Sequence, residues 1–274
     1  MSEIKTPMKI QPLPTMNIQS LLEYQLSIPD YQRAYSWGET QYKQFWNDIL
    51  EYLEYSRSLE STHYFIGHIL LEKKTNSESY DVIDGQQRIT TVIILLNILQ
   101  KLLDEENVPY SPLSIKNFSI SLHPHDFHSV ILQSPLSALS ESQAKTKSSQ
   151  IKNCIKAHNY FLDILRNHED KIREVHRLIL EAECTIQIIE NRLDAIRRFI
   201  SENNRGKDVN SLELFKTLCL YHLYLNDDEY QRNICYRIFG EIYSTLDRLE
   251  NYQDTTLLKD TYQFYYNTPY YNNP

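Results

Sequence analysis

The pattern of apolar and polar positions in the first sixty residues predicts two helices separated by an extended stretch. Asn17 is placed to cap a short helix that runs on to Leu26. Because the residue before a proline avoids the helical region, Ile28 and Pro29 predict extended backbone after it. From residue 39 to about 56, apolar side chains recur every three or four positions, which is typical of a helix with one buried face.

A second pattern follows, in which apolar runs are short and almost continuous. Residues 64–71, Tyr-Phe-Ile-Gly-His-Ile-Leu-Leu, predict a buried strand, and residues 80–83 predict another after a polar turn. The chain then passes through an Asp-Gly pair at 84–85 and is strongly helical from 86 to about 103. This order of strand, turn, strand, turn and helix indicates an α/β unit.

The rest of the chain divides at a segment of different composition. Prolines and serines in residues 104–150 indicate an irregular connector. Helical spacing returns over 151–166 and 171–180, residues 183–189 resemble a strand, and 193–252 are mostly helical in pattern.

Composition narrows the class of protein. The chain has 274 residues, 41% of them hydrophobic, which permits a substantial core, and a formal net charge of -8, which argues against a globally basic nucleic-acid coat. No apolar stretch is long enough to cross a membrane, and the four cysteines form no C-x-x-C pair. We therefore expect a cytoplasmic protein with free thiols and no membrane partner. Five glycines and no Gly-rich nucleotide motif exclude the two commonest phosphate loops.

The clearest candidate chemistry lies where the second strand meets the long helix. First-turn N–H groups attract phosphate, Gly85 permits close backbone approach, and Arg88 supplies a charged fork. Asp84 can hold a hard cation or orient water. The candidate set is Asp84, Gly85, Gln86, Gln87, Arg88 and a hydroxyl from Thr90 or Thr91. The alternative is that Asp84 merely caps the helix and Arg88 pairs on its surface.

Two further segments carry candidate residues. Residues 28–37, Ile-Pro-Asp-Tyr-Gln-Arg-Ala-Tyr-Ser-Trp, combine aromatics and arginine, which can stack on bases and grip phosphates. The alternative is a proline-bent corner whose aromatics fill the core. In residues 199–216, Arg205 and Lys207 flank Gly206 at the end of a helix, within reach of a phosphate. The alternative there is plain helix–loop–helix punctuation. Gly85 and Gly206 thus stand out among the five glycines.

Taken together and in this order, the three segments resemble the N-terminal domain family of GmrSD-type modification-dependent restriction endonucleases, a ParB-like or sulfiredoxin-like domain. The resemblance covers roughly residues 15–225. It implies an α+β fold, with a small ParB/sulfiredoxin-like nucleotide-binding α/β domain over 1–105, the connector over 106–150, and a mainly helical domain that completes the pocket over 151–274.

The resemblance also implies an activity, which is binding and hydrolysis of a nucleoside triphosphate in prokaryotic anti-phage defence. The cofactors would be Mg²⁺ and GTP, CTP, UTP or ATP. By this likeness the hydrolysis motif is Asp84, Gly85, Gln86, Gln87 and Arg88. Tyr31, Gln32 and Arg33 fall on the segment that shapes the pocket or senses modified DNA, and Asn204, Arg205 and Gly206 fall on the later pocket motif.

The implied partners are DNA, including modified foreign DNA, and an HNH-type nuclease domain or protein, with a second copy of the chain as a further candidate. The chain shows no recognisable HNH motif, so we expect the nuclease to be supplied separately. The histidines between His123 and His128 fit no standard zinc spacing and predict a solvated loop. Two rival functions are a non-catalytic module that reads modified DNA and a DNA nicking endonuclease.

Overall fold

The computed structural model describes residues 13–29, 32, 35–56, 63–74, 78–106, 118–120, 149–203 and 211–248. In chain order the elements are β1 (Thr15–Asn17), α1 (Ile18–Leu21), β2 (Gln25–Ile28), α2 (Glu39–Ser56), β3 (Phe65–Lys73), β4 (Ser79–Asp84), α3 (Gln86–Glu105), β5 (Phe118–Ile120), α4 (Ser149–Arg166), a 3₁₀ turn (Glu169–Lys171), α5 (Ile172–Glu181), β6 (Glu183–Ile189), α6 (Arg192–Asn203), α7 (Ser211–Leu225) and α8 (Glu229–Arg248).

The described strands form one mixed sheet in the order β1-β6-β3-β4-β2-β5. β3 is parallel to β6 and antiparallel to β4, while β2 is parallel to both β4 and β5. β1 runs antiparallel to β6 at the opposite edge. β6 comes from the C-terminal part of the chain yet lies beside β3, so the sheet joins segments that are distant in sequence.

Helices cover both faces of this sheet because alternate strand residues point to opposite sides. On one face, buried residues such as Ile69 and Val82 pack with residues of the five helices α1, α2, α3, α4 and α5 in the larger hydrophobic core. On the other face, Leu70 and Ile83 pack with residues of α6, α7 and α8 in a smaller core. α3 is buried on nearly all sides, which explains its run of apolar residues without a broad polar face.

The structure confirms the predicted α+β class, with a mixed sheet followed by C-terminal helices. The predicted cap is also confirmed, because the Asn17 Oδ1 accepts the Ser20 N–H at 2.8 Å. The extent of that helix was wrong: α1 ends at Leu21, and Leu26 is fully buried in β2. Pairing of β2 with β4 on one side and β5 on the other outweighs the weak helical spacing of this short segment.

Two short strands lie in parts of the chain where the sequence predicted none. The three-residue strand β1 lies directly before α1, and the three-residue strand β5 lies in the connector that was predicted to be irregular. The domain limits at 105 and 150 stay a prediction. Among the described residues, no helix is both long and apolar enough to cross a membrane.

Two buried histidines predict a pH dependence of stability. Burial lowers the pKa of His158 on α4, with a smaller contribution from Lys101, and burial also lowers the pKa of His176 on α5. Below about pH 6.5 the unfolded chain binds protons that these folded histidines do not, so stability falls as the pH falls.

We expect the free energy of unfolding in urea to decrease from about pH 7.5 to about pH 5.5, with a limiting slope of about 1.4 kcal/mol per pH unit for each histidine. The double variant His158→Gln/His176→Gln should show a flatter profile. His222, which is exposed on α7, provides the matched control His222→Gln. An equally steep profile in the double variant would contradict this account.

Candidate functional site

A pocket of about 190 Å³ lies at the C-terminal end of β4, where the chain enters α3. Its walls come from four parts of the chain: the end of β4, the first turn of α3, the segment after β2, and α6. The lining residues are Gln32, Trp37, Ile83, Asp84, Gly85, Gln86, Gln87, Arg88 and Phe199. The pocket therefore joins parts of all three segments that stand out in the sequence.

Gly85 forms the sharp turn between β4 and α3. Its φ of +89° lies in the left-handed region, and a Cβ there would come within 3.1 Å of the Ile69 Cγ1. Gly85 is also the N-cap of α3 and supplies no side chain to cap it. The first hydrogen bond of the helix runs from the Ile89 N–H to the Gly85 carbonyl, at 3.0 Å. The N–H groups of residues 86–88 thus precede the helical ladder, in the wall of the pocket.

Arg88 is held against β3 by backbone carbonyls. Its Nη1 donates to the Ile66 carbonyl at 3.2 Å, and its Nη2 donates to the His68 carbonyl at 2.7 Å. Nη2 also lies 3.3 Å from the Asp84 Oδ2. Together these acceptors hold the guanidinium in one orientation at the pocket wall, which lowers the entropy cost of using it on a ligand.

Gly67 makes this seat for Arg88 possible. It has a φ of +121°, and a Cβ at this position would lie only 1.9 Å from the Arg88 Nη1. The pairing of β3 with β6 is irregular between Phe65 and Gly67, so the strand bulges at this point. Gly67 was not among the residues predicted to shape the site. The available signal was a glycine inside an otherwise apolar strand, which often marks a bulge or a close approach.

Asp84 is the acidic group among the described residues that line the pocket. Its side chain is about half exposed, and Arg88 is its partner within the described part of the chain. Since Gly85 is the N-cap of α3, the alternative in which Asp84 caps the helix is wrong. The same alternative had Arg88 form an ion pair on the surface of the helix. Arg88 does pair with Asp84, but both residues lie in the pocket wall.

The segment before α2 is fastened to the pocket by hydrogen bonds. The Gln32 Nε2 donates to the Ile83 carbonyl, and the Ser36 N–H donates to the Gln87 Oε1 at 2.8 Å. Behind them, the Tyr35 hydroxyl is hydrogen bonded to the Thr91 Oγ1 at 2.8 Å. Burial raises the pKa of Tyr35, so its phenol stays neutral.

This segment combines the two interpretations that its sequence left open. Tyr35 is fully buried and fills the core, as the hydrophobic-corner alternative requires. Gln32 and Trp37 line the pocket, as the binding interpretation requires.

The predicted site residues have different positions in the structure. Asp84, Gly85, Gln86, Gln87, Arg88 and Gln32 come together in the pocket, joined by Trp37 and Phe199, which were not assigned to it. Thr90 is fully buried and is not among the lining residues. The remaining predicted residues lie outside the described residues: Tyr31, Arg33, Asn204, Arg205 and Gly206. The histidines between 123 and 128 also lie outside them.

The described part of the pocket offers a metal ion a single carboxylate, that of Asp84. Within the described ranges, no group of three or more His, Cys, Asp or Glu side chains is arranged to hold a metal ion. Mg²⁺ in phosphate-binding sites is commonly held by one or two carboxylates together with phosphate oxygens and waters. Asp84 on the pocket wall fits that type of site, in which phosphate oxygens and waters supply most of the ligands.

The sequence model described as the GmrSD restriction endonuclease, N-terminal domain, matches residues 17–220. The matched range contains every described residue that lines the pocket. No curated protein matches the chain.

Proposed function

The chain belongs to the GmrSD restriction endonuclease N-terminal domain family, and from this premise we propose that its pocket binds and hydrolyses a nucleoside triphosphate. The phosphates would lie against the first turn of α3, and the proposed substrates are GTP, CTP, UTP and ATP. The chain would work within a GmrSD-type restriction system. There, hydrolysis of the nucleotide would act as a switch for an HNH-type nuclease domain or partner that cuts modified foreign DNA.

The observation that carries this proposal is the convergence of three features at Gly85. The N-terminus of the long helix α3 supplies N–H groups with positive partial charge. The Arg88 guanidinium is fixed by carbonyls of β3 on one side of this turn. The Asp84 carboxylate lies on the same wall. Phosphate recognition needs the first two features, and a metal-dependent hydrolase needs the third.

Each of the polar lining residues at this turn has a role in the proposal. Arg88 stabilises the negative charge that accumulates on the phosphate oxygens, since its planar fork matches them. Asp84 would hold Mg²⁺, which would neutralise phosphate charge, or it would orient the attacking water. Gln86 and Gln87 supply amides that position phosphates or water. Because hydrolysis of a phosphate anhydride depends mainly on positioning and electrostatic stabilisation, the protein needs no covalent step.

The size of the pocket is consistent with a site for phosphate groups. A cavity of about 190 Å³ accommodates a chain of phosphates more readily than an entire nucleotide. Trp37 lies at the pocket with an apolar ring that is suited to contact with a sugar or base.

The proposal is tested by phosphate release from each of the four triphosphates in the presence of Mg²⁺. We expect hydrolysis by the unchanged protein and a rate about 100-fold lower in Asp84→Ala, because an electrostatic group at the reacting phosphates is lost. Asp194→Ala is the matched control, since Asp194 is similarly exposed and pairs with an arginine one turn away on α6.

Full activity in Asp84→Ala would remove Asp84 from the mechanism. Failure of the unchanged protein to release phosphate, together with salt-dependent binding to modified DNA, would favour the DNA-reading module instead. Plasmid nicking that disappears in Asp84→Ala would favour the nicking endonuclease.

A further inference from the structure

Two carboxylates lie directly opposite each other on the sheet face that α6 covers. Glu72 on β3 and Asp81 on β4 are cross-strand partners, and each side chain is only 4% exposed. Like charges in this arrangement repel, and burial makes the repulsion stronger. Such a pair is therefore tolerated only if cations neutralise it.

Arg192 supplies the bridge between these carboxylates. Its Nε lies 2.6 Å from the Glu72 Oε1, and its Nη2 lies 2.8 Å from the Asp81 Oδ2. The Lys74 Nζ lies 2.9 Å from the Asp81 Oδ1, and the Ser27 hydroxyl donates a hydrogen bond to the same oxygen. One guanidinium thus contacts both strands with two separate nitrogens, which fixes its position in two directions.

Arg192 is the first residue of α6, where the helix dipole disfavours a cation. A cation is favourable at this position because Arg192 binds the two carboxylates, Glu72 and Asp81, on the sheet below it. Going along α6, the positions that face the sheet are Arg192, Ala195, Ile196 and Phe199, at the spacing of one helical face. Phe199 lies two turns, or about 10 Å, from Arg192 and lines the pocket at Gly85.

A buried ionic cluster is a poor means of gaining stability, because apolar residues of similar volume often stabilise as much or more. It is a good means of fixing position, since an apolar contact tolerates sliding and a two-point hydrogen-bonded contact does not. Among the described residues, the sheet contributes few apolar side chains to the smaller core under α6 to α8, notably Leu70 and Ile83. The position of α6 on the sheet therefore depends strongly on Arg192.

We propose that Arg192, bound to Glu72 and Asp81, is a positioning residue that sets the place of α6 and thereby holds Phe199 as a wall of the nucleotide pocket. This inference rests on the proposed function for its kinetic consequence, but its structural consequence is independent of any nucleotide. Arg192 acts through Phe199 and does not itself line the pocket.

The first experiment measures amide hydrogen exchange in the nucleotide-free protein. In Arg192→Met, the amides of α6 should exchange roughly tenfold faster or more, while those of α3 should not change. Because this variant leaves two opposed carboxylates, the triple variant Glu72→Gln/Asp81→Asn/Arg192→Met removes the charges as a set. We expect the triple variant to regain thermal stability but to keep the fast exchange of α6.

The second experiment measures the kinetics of nucleotide hydrolysis. The triple variant should raise KM about tenfold and change kcat by less than about twofold, and Arg192→Lys should give an intermediate KM because an ammonium group cannot reproduce the fork. Arg198→Met is the matched control on the same helix, where Arg198 is exposed. It should leave both exchange and KM unchanged.

Unchanged α6 exchange in the triple variant would overturn the proposal, and so would an unchanged KM in a protein that hydrolyses nucleotide. A protein that hydrolyses no nucleotide at all would instead refute the proposed function. The exchange measurement alone would then decide whether Arg192 positions α6.

Discussion

Replacing Arg88 by alanine is expected to lower the rate of nucleotide hydrolysis about a thousandfold, the largest loss for any residue of the pocket. An arginine that stabilises charge on a transferring phosphoryl group contributes about 10³ or more to the rate. Among the described residues, Arg88 is the cation that lines the pocket, and its fork is already fixed by the Ile66 and His68 carbonyls. Its contribution therefore carries little reorganisation cost.

The same substitution has a structural cost that must be measured separately. Loss of the guanidinium leaves two carbonyls of β3 and the Asp84 carboxylate without this donor, which we expect to cost about 1–3 kcal/mol. Urea unfolding measures this cost, and phosphate release under conditions where the variant is folded measures the catalytic effect. Arg88→Lys keeps the charge but not the planar fork. Its hydrolysis rate should therefore be lower than that of the unchanged protein by roughly 100-fold or more.

Arg198→Ala is the control for Arg88→Ala, because Arg198 is also an arginine within a helix but lies exposed on α6 and does not line the pocket. Its rate and stability should be close to those of the unchanged protein. If Arg88→Ala lost stability but hydrolysed nucleotide normally, Arg88 would only join α3 to β3.

Local signals were sufficient to predict much of the pocket. The Asp-Gly pair between an apolar strand and an apolar helix predicted the start of α3 at Gln86, and the structure confirms it. The residues of this turn lie close to each other in the chain, so the turn itself brings Asp84 and Arg88 together. The long helix α2 and the strand β6 were likewise predicted from spacing alone, and both are confirmed.

Features that depend on distant parts of the chain were not predictable in this way. β1 and β5 have three residues each, too few to show a period, and they are strands only because β6 and β2 pair with them. Arg192 appears in sequence as an ordinary helix residue. Its role requires the register that places Glu72 opposite Asp81. Conversely, the family resemblance assigned a pocket role to Gln32, whose contact with the Ile83 carbonyl no local rule predicts.

Gly67→Ala is expected to reproduce much of the Arg88→Ala effect from a residue that does not line the pocket. The new Cβ would lie 1.9 Å from the Arg88 Nη1, so the guanidinium must leave its seat. Alanine at a φ of +121° is itself strained, at a cost of about 1–3 kcal/mol. We expect a loss of about 2–4 kcal/mol in unfolding free energy, since backbone strain and lost hydrogen bonds both contribute. We also expect the hydrolysis rate to fall about 100-fold or more.

A double-mutant cycle separates displacement of Arg88 from general damage to β3. In the Arg88→Ala background the side chain that clashes with the new Cβ is gone, so Gly67→Ala should cost only its backbone strain and should not lower the rate further. Gly38→Ala is the matched control, because a Cβ there meets only the Gln41 Oε1 at an ordinary 3.6 Å. Additive losses in the double variant would show that Gly67 acts independently of Arg88, and they would contradict the assignment of Gly67 as the residue that seats the Arg88 guanidinium.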